Sequence, residues 1–507
     1  MADWTEGTFL MSAAPGAGKT RPALELARAQ LAAGAIKSVI VACPTAPLTR
    51  QWARAASALG VELAPDCDSP RPPKGFHGVA VTYARIAKAP RRWARALPPS
   101  SLVVADEAHH LGEELAWGEG FATAMGACSR WLLLSGTPFR SDAAAIPGVD
   151  YDAAGLAQPD HSYTYADAVR DRVCRPVCFV AYDGTLSWRS GDDVIESSFE
   201  TVLSSREAGR RYRTAISTEL PDGLPRILRE ADAKLAAVRA AGHADAGGLV
   251  IAADSAHARR IAALLRECTG RAPLVVLHAE PRAAEKLVAF TRSRDPWIVA
   301  VNMVSEGVDI PRLRVGVYAT AAKTPLVFRQ IVGRFVRTLP GRPIEPSWLY
   351  VPADPVLRDH ASRIEEELRH VLARPDGEEL GFDEPDLVAR SERSEEPAFM
   401  PLSADVAPQM SLFGPPPGAG LAMAAGPPPP PPGDDDADER PAFERRAMLR
   451  SERHRLVSEV TRRDRTDHRE VNAWLNRRVG VTSVDSATLE QLERSVELLV
   501  GRLTRRR

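Results

Sequence analysis

Short, continuous apolar runs recur along this chain at the spacing of a helix-covered parallel sheet. Phe9–Ala13, Val39–Cys43, Val79–Tyr83, Leu102–Ala105 and Trp131–Leu134 are each four to five residues long, with Ala- and Arg-rich helical stretches between them. Runs that short and unbroken by polar residues read as strands buried on both faces, the mark of a parallel α/β sheet. The rhythm returns in Gly248–Ala252, Leu274–Leu277, Ile298–Val301, Val315–Tyr318 and Leu349–Val351. Two α/β domains are therefore expected, over 1–155 and 205–360, with an irregular connector or insertion at 156–204.

The chain has 507 residues, room for roughly three domains at ~150 residues each. Its 44% hydrophobic content excludes wholesale disorder. No apolar run reaches the ~18 residues of a membrane span, and the start lacks the succession of a signal peptide, so no membrane role and a cytoplasmic location are expected. Six cysteines form no disulfide framework, and Cys174 and Cys178 lack the second ligand pair of a zinc site. A net charge of −1 hides an uneven distribution. Residues 361–400 hold 12 acids against 5 Arg, and the proline runs 415–417 and 427–432 follow. Such a segment cannot bury a core, so 361–439 is expected to be an acidic and Pro-rich disordered linker. Residues 440–507 carry 17 Arg against 10 acids and resume helical patterning, which makes a basic helical C-terminal module. Asp467…Glu470 and Thr488…Gln491 fit capping boxes for two helices around the Val479–Ser483 turn, with Trp474 and Leu475 in a small core.

Lysine is scarce: 58 of the 65 basic residues are Arg. One of the seven lysines stands in Ala14-Pro15-Gly16-Ala17-Gly18-Lys19-Thr20, directly after the first strand and before a helix over Arg21–Leu31. A glycine-rich turn there aims the backbone N–H groups of Gly16, Ala17 and Gly18 at a phosphate, at the positive end of a helix dipole. Lys19 would reach the β- and γ-phosphates of ATP, and the Thr20 hydroxyl would ligate Mg²⁺. The strict pattern has Gly where this chain has Ala13. Leu102–His109 supplies the second half of the site: a strand ending in Asp106-Glu107 presents carboxylates at the sheet's C-terminal edge. Asp106 would hold Mg²⁺ and Glu107 would orient and deprotonate the attacking water.

With these elements in this order, the chain resembles the superfamily 2 helicases from about residue 9 to 340. Gly16–Thr20 resembles motif I, Asp106-Glu107-Ala108-His109 motif II in its DEAH form, and Ser135-Gly136-Thr137-Pro138 motif III. Cys43-Pro44-Thr45, with Gln51 and Trp52 after it, resembles motif Ia, and Val81-Thr82-Tyr83 the next strand-backbone contact. Ser305–Pro311 resembles motif V, with Gly307 and Asp309 toward the nucleotide. Gln330-Ile-Val-Gly333-Arg334-Phe-Val-Arg337 resembles motif VI. The resemblance implies two tandem RecA-like domains, ATP hydrolysis with Mg²⁺, and catalytic roles for Glu107, Gln330, Arg334 and Arg337. It implies coupling roles for His109, Ser135 and Thr137, and nucleic-acid contacts at Thr45, Gln51 and Thr82. Arg334 and Arg337, three apart, are expected on one helical turn as arginine fingers.

Two departures from the family pattern bear on function. The chain begins a few residues before motif I, so an adenine-reading glutamine has no place unless the true start lies upstream. Motif VI reads Gly-Arg-Phe-Val-Arg rather than Gly-Arg-Ala-Gly-Arg, closer to DNA-repair and restriction motors, which favours DNA over RNA. Arg210-Arg211-Tyr212-Arg213 and Arg91-Arg92-Trp93 interleave cations and aromatics, as nucleic-acid contacts or as solvated faces. Gln409, Leu412 and Phe413 form a short peptide similar to those that dock on the bacterial sliding clamp; the alternative is an apolar segment packed back on the core. The basic tail is an accessory binding domain or a plain appendage. The function expected is an ATP-dependent helicase or translocase acting on DNA in repair or replication. Its rivals are an RNA helicase, the motor subunit of a restriction or phage-defence system, and a nucleotide-dependent partner-binding switch without unwinding.

Overall fold

A computed structural model describes residues 4–113, 115–136, 145–152, 157–190, 192–277, 280, 282–301, 310–339, 342, 344–373, 399–408 and 440–504. They divide into two compact units. The first holds a seven-stranded sheet of β1 (Gly7–Ala13), β2 (Ser38–Cys43), β3 (Leu63–Pro65), β4 (Gly78–Thr82), β5 (Ser101–Asp106), β6 (Arg130–Ser135) and β7 (His161–Tyr163), in the order β3-β4-β2-β5-β6-β1-β7. β1 to β6 pair in parallel. Every residue of β2 and β5 is buried, which is why these strands read as unbroken apolar runs. Tyr83, expected as the end of a strand, instead begins the helix Tyr83–Lys88, because the Thr82 hydroxyl accepts the Arg85 N–H and caps it. The order β5-β6-β1 sets three strand ends side by side, with Ser12 opposite Ser135 and Asp106 opposite Leu134.

The C-terminal residues pack as three helices in this same unit, Ala442–Asp464, His468–Val479 and Leu489–Thr504, one more than expected. Arg446 and Arg453 are buried on the first of them and bonded across the bundle, Arg446 Nη2 to the Asp485 carbonyl at 2.7 Å and Arg453 to Asn472 at 2.8 Å. Buried guanidinium groups blur the apolar stripe by which that helix would be recognised. Leu456, Val460, Leu475 and Leu499 fill the small core, with Trp474 against it. Thr488 and Gln491 make the reciprocal capping bonds, at 2.9 and 3.3 Å. Arg54 of the helix Ala46–Ser57 meets Glu444 at 2.6 Å and ties the bundle to the sheet domain.

The second unit holds β8 (Val177–Ser190), β9 (Asp193–Ser197), β10 (Gly247–Ala252), β11 (Leu274–Val276), β12 (Trp297–Val301), β13 (Leu313–Ala319), β14 (Ser347–Pro352) and β15 (Phe399–Pro408). The order is β11-β12-β10-β13-β14-β8-β15, with β9 against β8. All of these pairs are parallel except those of β9 and β15 with β8. Two expectations are corrected here. The segment 156–204 is no mere connector: it supplies β8, fourteen residues long and paired on both edges. The span 361–439, expected as disordered linker, contributes the end of the helix Pro355–Ala373 and the whole of β15, whose Ala404 and Val406 are buried. Alternation over 403–407 is a genuine strand signal, but Pro and acidic neighbours hide it in the composition.

Candidate functional site

The turn after β1 runs into the helix Thr20–Ala32 through Gly16 and Gly18, at φ +93° and +87°, a region open to glycine at little cost. That helix begins with no side-chain cap and no acid in its first turn, so no side chain of its own competes with a ligand at its N-terminus. Lys19 is buried, and its ammonium lies 2.9 Å from Glu107 Oε1. Glu107 itself sits at φ +51°, a sparsely populated conformation for a residue with a side chain, at the sharp turn after β5. Its other oxygen lies 3.5 Å from His109 Nδ1, and that nitrogen is 3.1 Å from the Ser135 hydroxyl. Lys19, Glu107, His109 and Ser135 thus form one continuous polar chain along the C-terminal edge of β1, β5 and β6.

Asp106 is held differently. Its Oδ1 accepts the Glu107 N–H at 3.1 Å and its Oδ2 accepts the Trp52 indole N–H at 2.7 Å. The Tyr83 hydroxyl donates to the Asp106 carbonyl at 2.7 Å. Burial pushes the Asp106 carboxyl up to about 6, with the neighbouring Glu107 charge adding to it and Lys19 and Trp52 opposing. Burial acts on Glu107 in the same direction, but the Lys19 ammonium and then His109 outweigh it and hold its carboxyl below the usual range. Nothing in the linear sequence marks Trp52 and Tyr83 as the residues that hold Asp106, 54 and 23 positions away. Both sit among motif residues for which the family pattern suggests other contacts.

The donor set suits Mg²⁺. Thr20 and Asp106 offer hard oxygens, and Mg²⁺ is commonly bound by one or two carboxylates with waters and phosphates rather than by a full protein cage. A cation beside the desolvated Asp106 would also offset its burial cost.

Thr45 and Thr82 stand at the ends of β2 and β4, and Gln51 lies in the helix Ala46–Ser57, on the side of the sheet beyond β5. Thr82 already serves as a helix cap, while the Thr45 hydroxyl is buried with no partner among the described residues. In the second unit Gln330 lies on the helix Pro325–Val332. That helix ends there, which corrects the expectation that Arg334 and Arg337 share a helical turn. Arg334 is in the turn that follows, and Arg337 forms an isolated antiparallel bridge with Cys174. Phe335 and Val336 are buried between them. Phe335 packs on β13 at Gly316, where a side-chain carbon would stand 2.4 Å from its ring, so core packing rather than helix propensity sets this backbone. Thr137, Gly307, Asp309, Gln409, Leu412 and Phe413 lie outside the described residues.

The arginine clusters are corrected in part. Arg210 is buried against Glu207 at 2.7 Å, and the Arg211 guanidinium lies 5.0 Å from the Phe199 ring centre, so neither is a solvated face. Arg91 and Arg92 are exposed beside a buried Trp93. No helix among the described residues is long and apolar enough to cross a membrane.

Residues 3–140 match the family described as type III restriction enzyme, res subunit. The uncharacterized protein Rv2917 of Mycobacterium tuberculosis is 44% identical over 376 residues, which is 72% of this chain and 62% of that protein. The uncharacterized protein ML1624 of Mycobacterium leprae is 40% identical over 412 residues, 78% of this chain and 68% of that protein. The chain thus spans about 62% of the length of the Mycobacterium tuberculosis relative. A fragment described as the HsdR subunit of a type I restriction enzyme from Vibrio vulnificus superposes with a TM-score of 0.48 at 15% identity, covering 70% of this chain and 62% of that one.

Proposed function

Because the chain belongs to the superfamily 2 helicases, we propose that it is an ATP-hydrolysing motor that moves along nucleic acid, with DNA as its track. The observation that carries this reading is the 2.9 Å pair between Lys19 and Glu107, on the turns after β1 and β5. Before nucleotide binds, the two charges neutralise each other. A γ-phosphate entering the uncapped helix end competes for the Lys19 ammonium and releases Glu107 to orient a water and accept its proton. Mg²⁺, held by Thr20 and Asp106, would supply charge neutralisation at the phosphates. His109 links Glu107 to the Ser135 hydroxyl at the end of β6, so a shift of the glutamate would be felt at the strand that leads into Thr137. Arg334 and Arg337 would add positive charge to the transferring phosphoryl group. Thr45, Gln51 and Thr82 would contact the strand backbone.

The test is steady-state ATPase of the full chain and of Glu107→Gln, with no nucleic acid, single-stranded DNA, duplex DNA and RNA. Stimulation by DNA that disappears in Glu107→Gln is expected. Stimulation by RNA alone would move the protein to the RNA branch. No stimulation by any of the three would sink the motor reading and leave a nucleotide-dependent switch. The match over residues 3–140 favours a second reading, the motor subunit of a restriction or phage-defence assembly. That reading requires a nuclease to co-purify with the chain from its native host.

A further inference from the structure

The three-helix bundle and the first sheet enclose a cleft of about 810 Å³ beside β3, the edge strand. Arg50 and Arg54 of the helix Ala46–Ser57, the end of β3, and Phe76 just before β4 form one wall. Phe443, Arg446 and Arg450, in the first turns of the helix Ala442–Asp464, form the other. The carboxylates along the cleft are engaged: Asp66 with Arg50 at 3.3 Å, Glu444 with Arg54 at 2.6 Å, Asp485 with Arg450 at 3.0 Å and Asp68 with Arg85 at 3.2 Å. Arg71 and Arg446 also line it, and neither has a carboxylate partner among the described residues. Arg71 is exposed, whereas Arg446 is 6% exposed. Arg446 Nη1 is buried with no hydrogen-bond partner among the described residues, and the guanidinium lies 5.9 Å from the Phe76 ring centre. Burial, and then the Arg450 charge, lower the Arg446 pKa, a cost that an anion in the cleft would offset.

Walls of mutually satisfied ion pairs, broken by an idle buried guanidinium donor and two half-buried phenyl rings, match a ligand that joins an anionic oxygen to a flat ring. Each nucleotide of a single strand does so: its phosphate accepts from a guanidinium and its base stacks on an aromatic face. Paired bases in a duplex already cover one another's faces, and an acidic peptide would answer the arginines but leave the rings unused. The volume falls in the range of about 300–1,000 Å³ for ligand clefts. Gln51, between Arg50 and Arg54 on the same helix, places the cleft beside the contacts proposed for the track. We propose that the cleft between the bundle and the first sheet is a second binding site for single-stranded nucleic acid, with Arg71 and Arg446 on phosphates and Phe76 and Phe443 stacked on bases. The identity of its ligand rests on the reading of the chain as a nucleic-acid motor.

Fluorescence anisotropy of a labelled oligothymidine on the full chain, without ATP and over a range of salt, tests this in the wild type and in Phe443→Ala, Phe443→Trp and Arg71→Ala. Phe443→Ala should weaken binding about tenfold or more, and Phe443→Trp, which keeps a stacking face, should restore it. Arg71→Ala should lower the salt slope by about 0.7, one single-strand phosphate contact. ATPase without nucleic acid should be the same in all four proteins. If Phe443→Ala fails to fold, the exposed Arg71→Ala and the Phe443→Trp variant decide. Variants that fold and bind oligothymidine with the wild-type affinity and slope overturn the proposal; nucleic-acid-stimulated ATPase in the same proteins would leave the motor reading standing. Variant-sensitive binding without any stimulation keeps the cleft and sinks the motor. Variant-sensitive binding of AMP but not of the oligonucleotide, or competition by polyglutamate as effective as by unlabelled oligothymidine, would overturn the proposal in favour of a small nucleotide or an acidic partner.

Discussion

The Trp52 indole N–H donates to Asp106 Oδ2 at 2.7 Å and joins the helix after β2 to the end of β5. Both partners are buried, and Tyr83, the first residue of the helix after β4, fixes the Asp106 carbonyl. The direction in which the carboxylate points is therefore set by packed aromatic residues rather than by solvent. A proposed metal ligand held by a neutral donor keeps its charge, and that bond also opposes the effect of burial on its ionisation.

Trp52→Phe keeps most of the volume and removes the donor. Asp106 Oδ2 is then buried without it, at a cost of about 1–3 kcal/mol in stability. ATPase kcat/KM is expected to fall on the order of 10- to 100-fold, with a raised Mg²⁺ requirement. A Mg²⁺ titration of activity checks this. An unchanged Mg²⁺ midpoint in a folded variant would reduce Trp52 to a core residue.

The pH dependence follows from the same carboxylate. Folding raises the Asp106 pKa from 3.8 to about 6, so the folded chain binds more protons than the unfolded one between those values. This group's contribution to stability therefore falls as pH rises through that window. Activity has the opposite sign, because a metal ligand must be ionised. On the free enzyme, kcat/KM should rise through about pH 6. Trp52→Phe should move that limb upward, since it loses a bond that favours the charged form. A pH–rate profile from pH 5 to 8 measures both, and a flat profile would exclude Asp106 as the ionising ligand.

Much of the sheet edge was legible because strand ends are where apolar runs stop and polar residues begin. Lys19, Glu107 and Ser135 sit at three such ends, and their meeting follows from the order β5-β6-β1. Long-range partners leave no such trace. Trp52 looks like any buried indole until its donor is seen on Asp106. β15 stands among prolines and acids, and only its pairing with β8 makes it a strand. Gln330 to Arg337 has the spacing of a helix, yet the burial of Phe335 and Val336 ends the helix at Val332.

Arg211 distinguishes a structural arginine from a nucleic-acid contact. It is 2% exposed, stacked on Phe199, and donates to the Thr201 carbonyl at 2.7 Å. Arg211→Ala removes packing and leaves carbonyls without a donor, so a loss of about 2–4 kcal/mol is expected by denaturant unfolding. DNA affinity of the folded variant should be unchanged, with the same salt slope. A slope smaller by about one unit would instead make Arg211 a phosphate contact.

Gly18 tests whether the turn after β1 serves a ligand or only the chain. At φ +87° an alanine is strained by about 1–2 kcal/mol, although its Cβ would meet nothing within 4 Å. Gly60, at φ +76° and equally open, carries the same backbone cost away from the site. Gly18→Ala and Gly60→Ala should therefore lower the melting temperature by similar amounts. Only Gly18→Ala should weaken nucleotide binding, by tenfold or more, because a shifted turn misdirects the N–H groups that receive the phosphate. Calorimetric titration with ADP on both variants measures the difference. Equal affinities would mean that the turn's glycines are there for the fold alone.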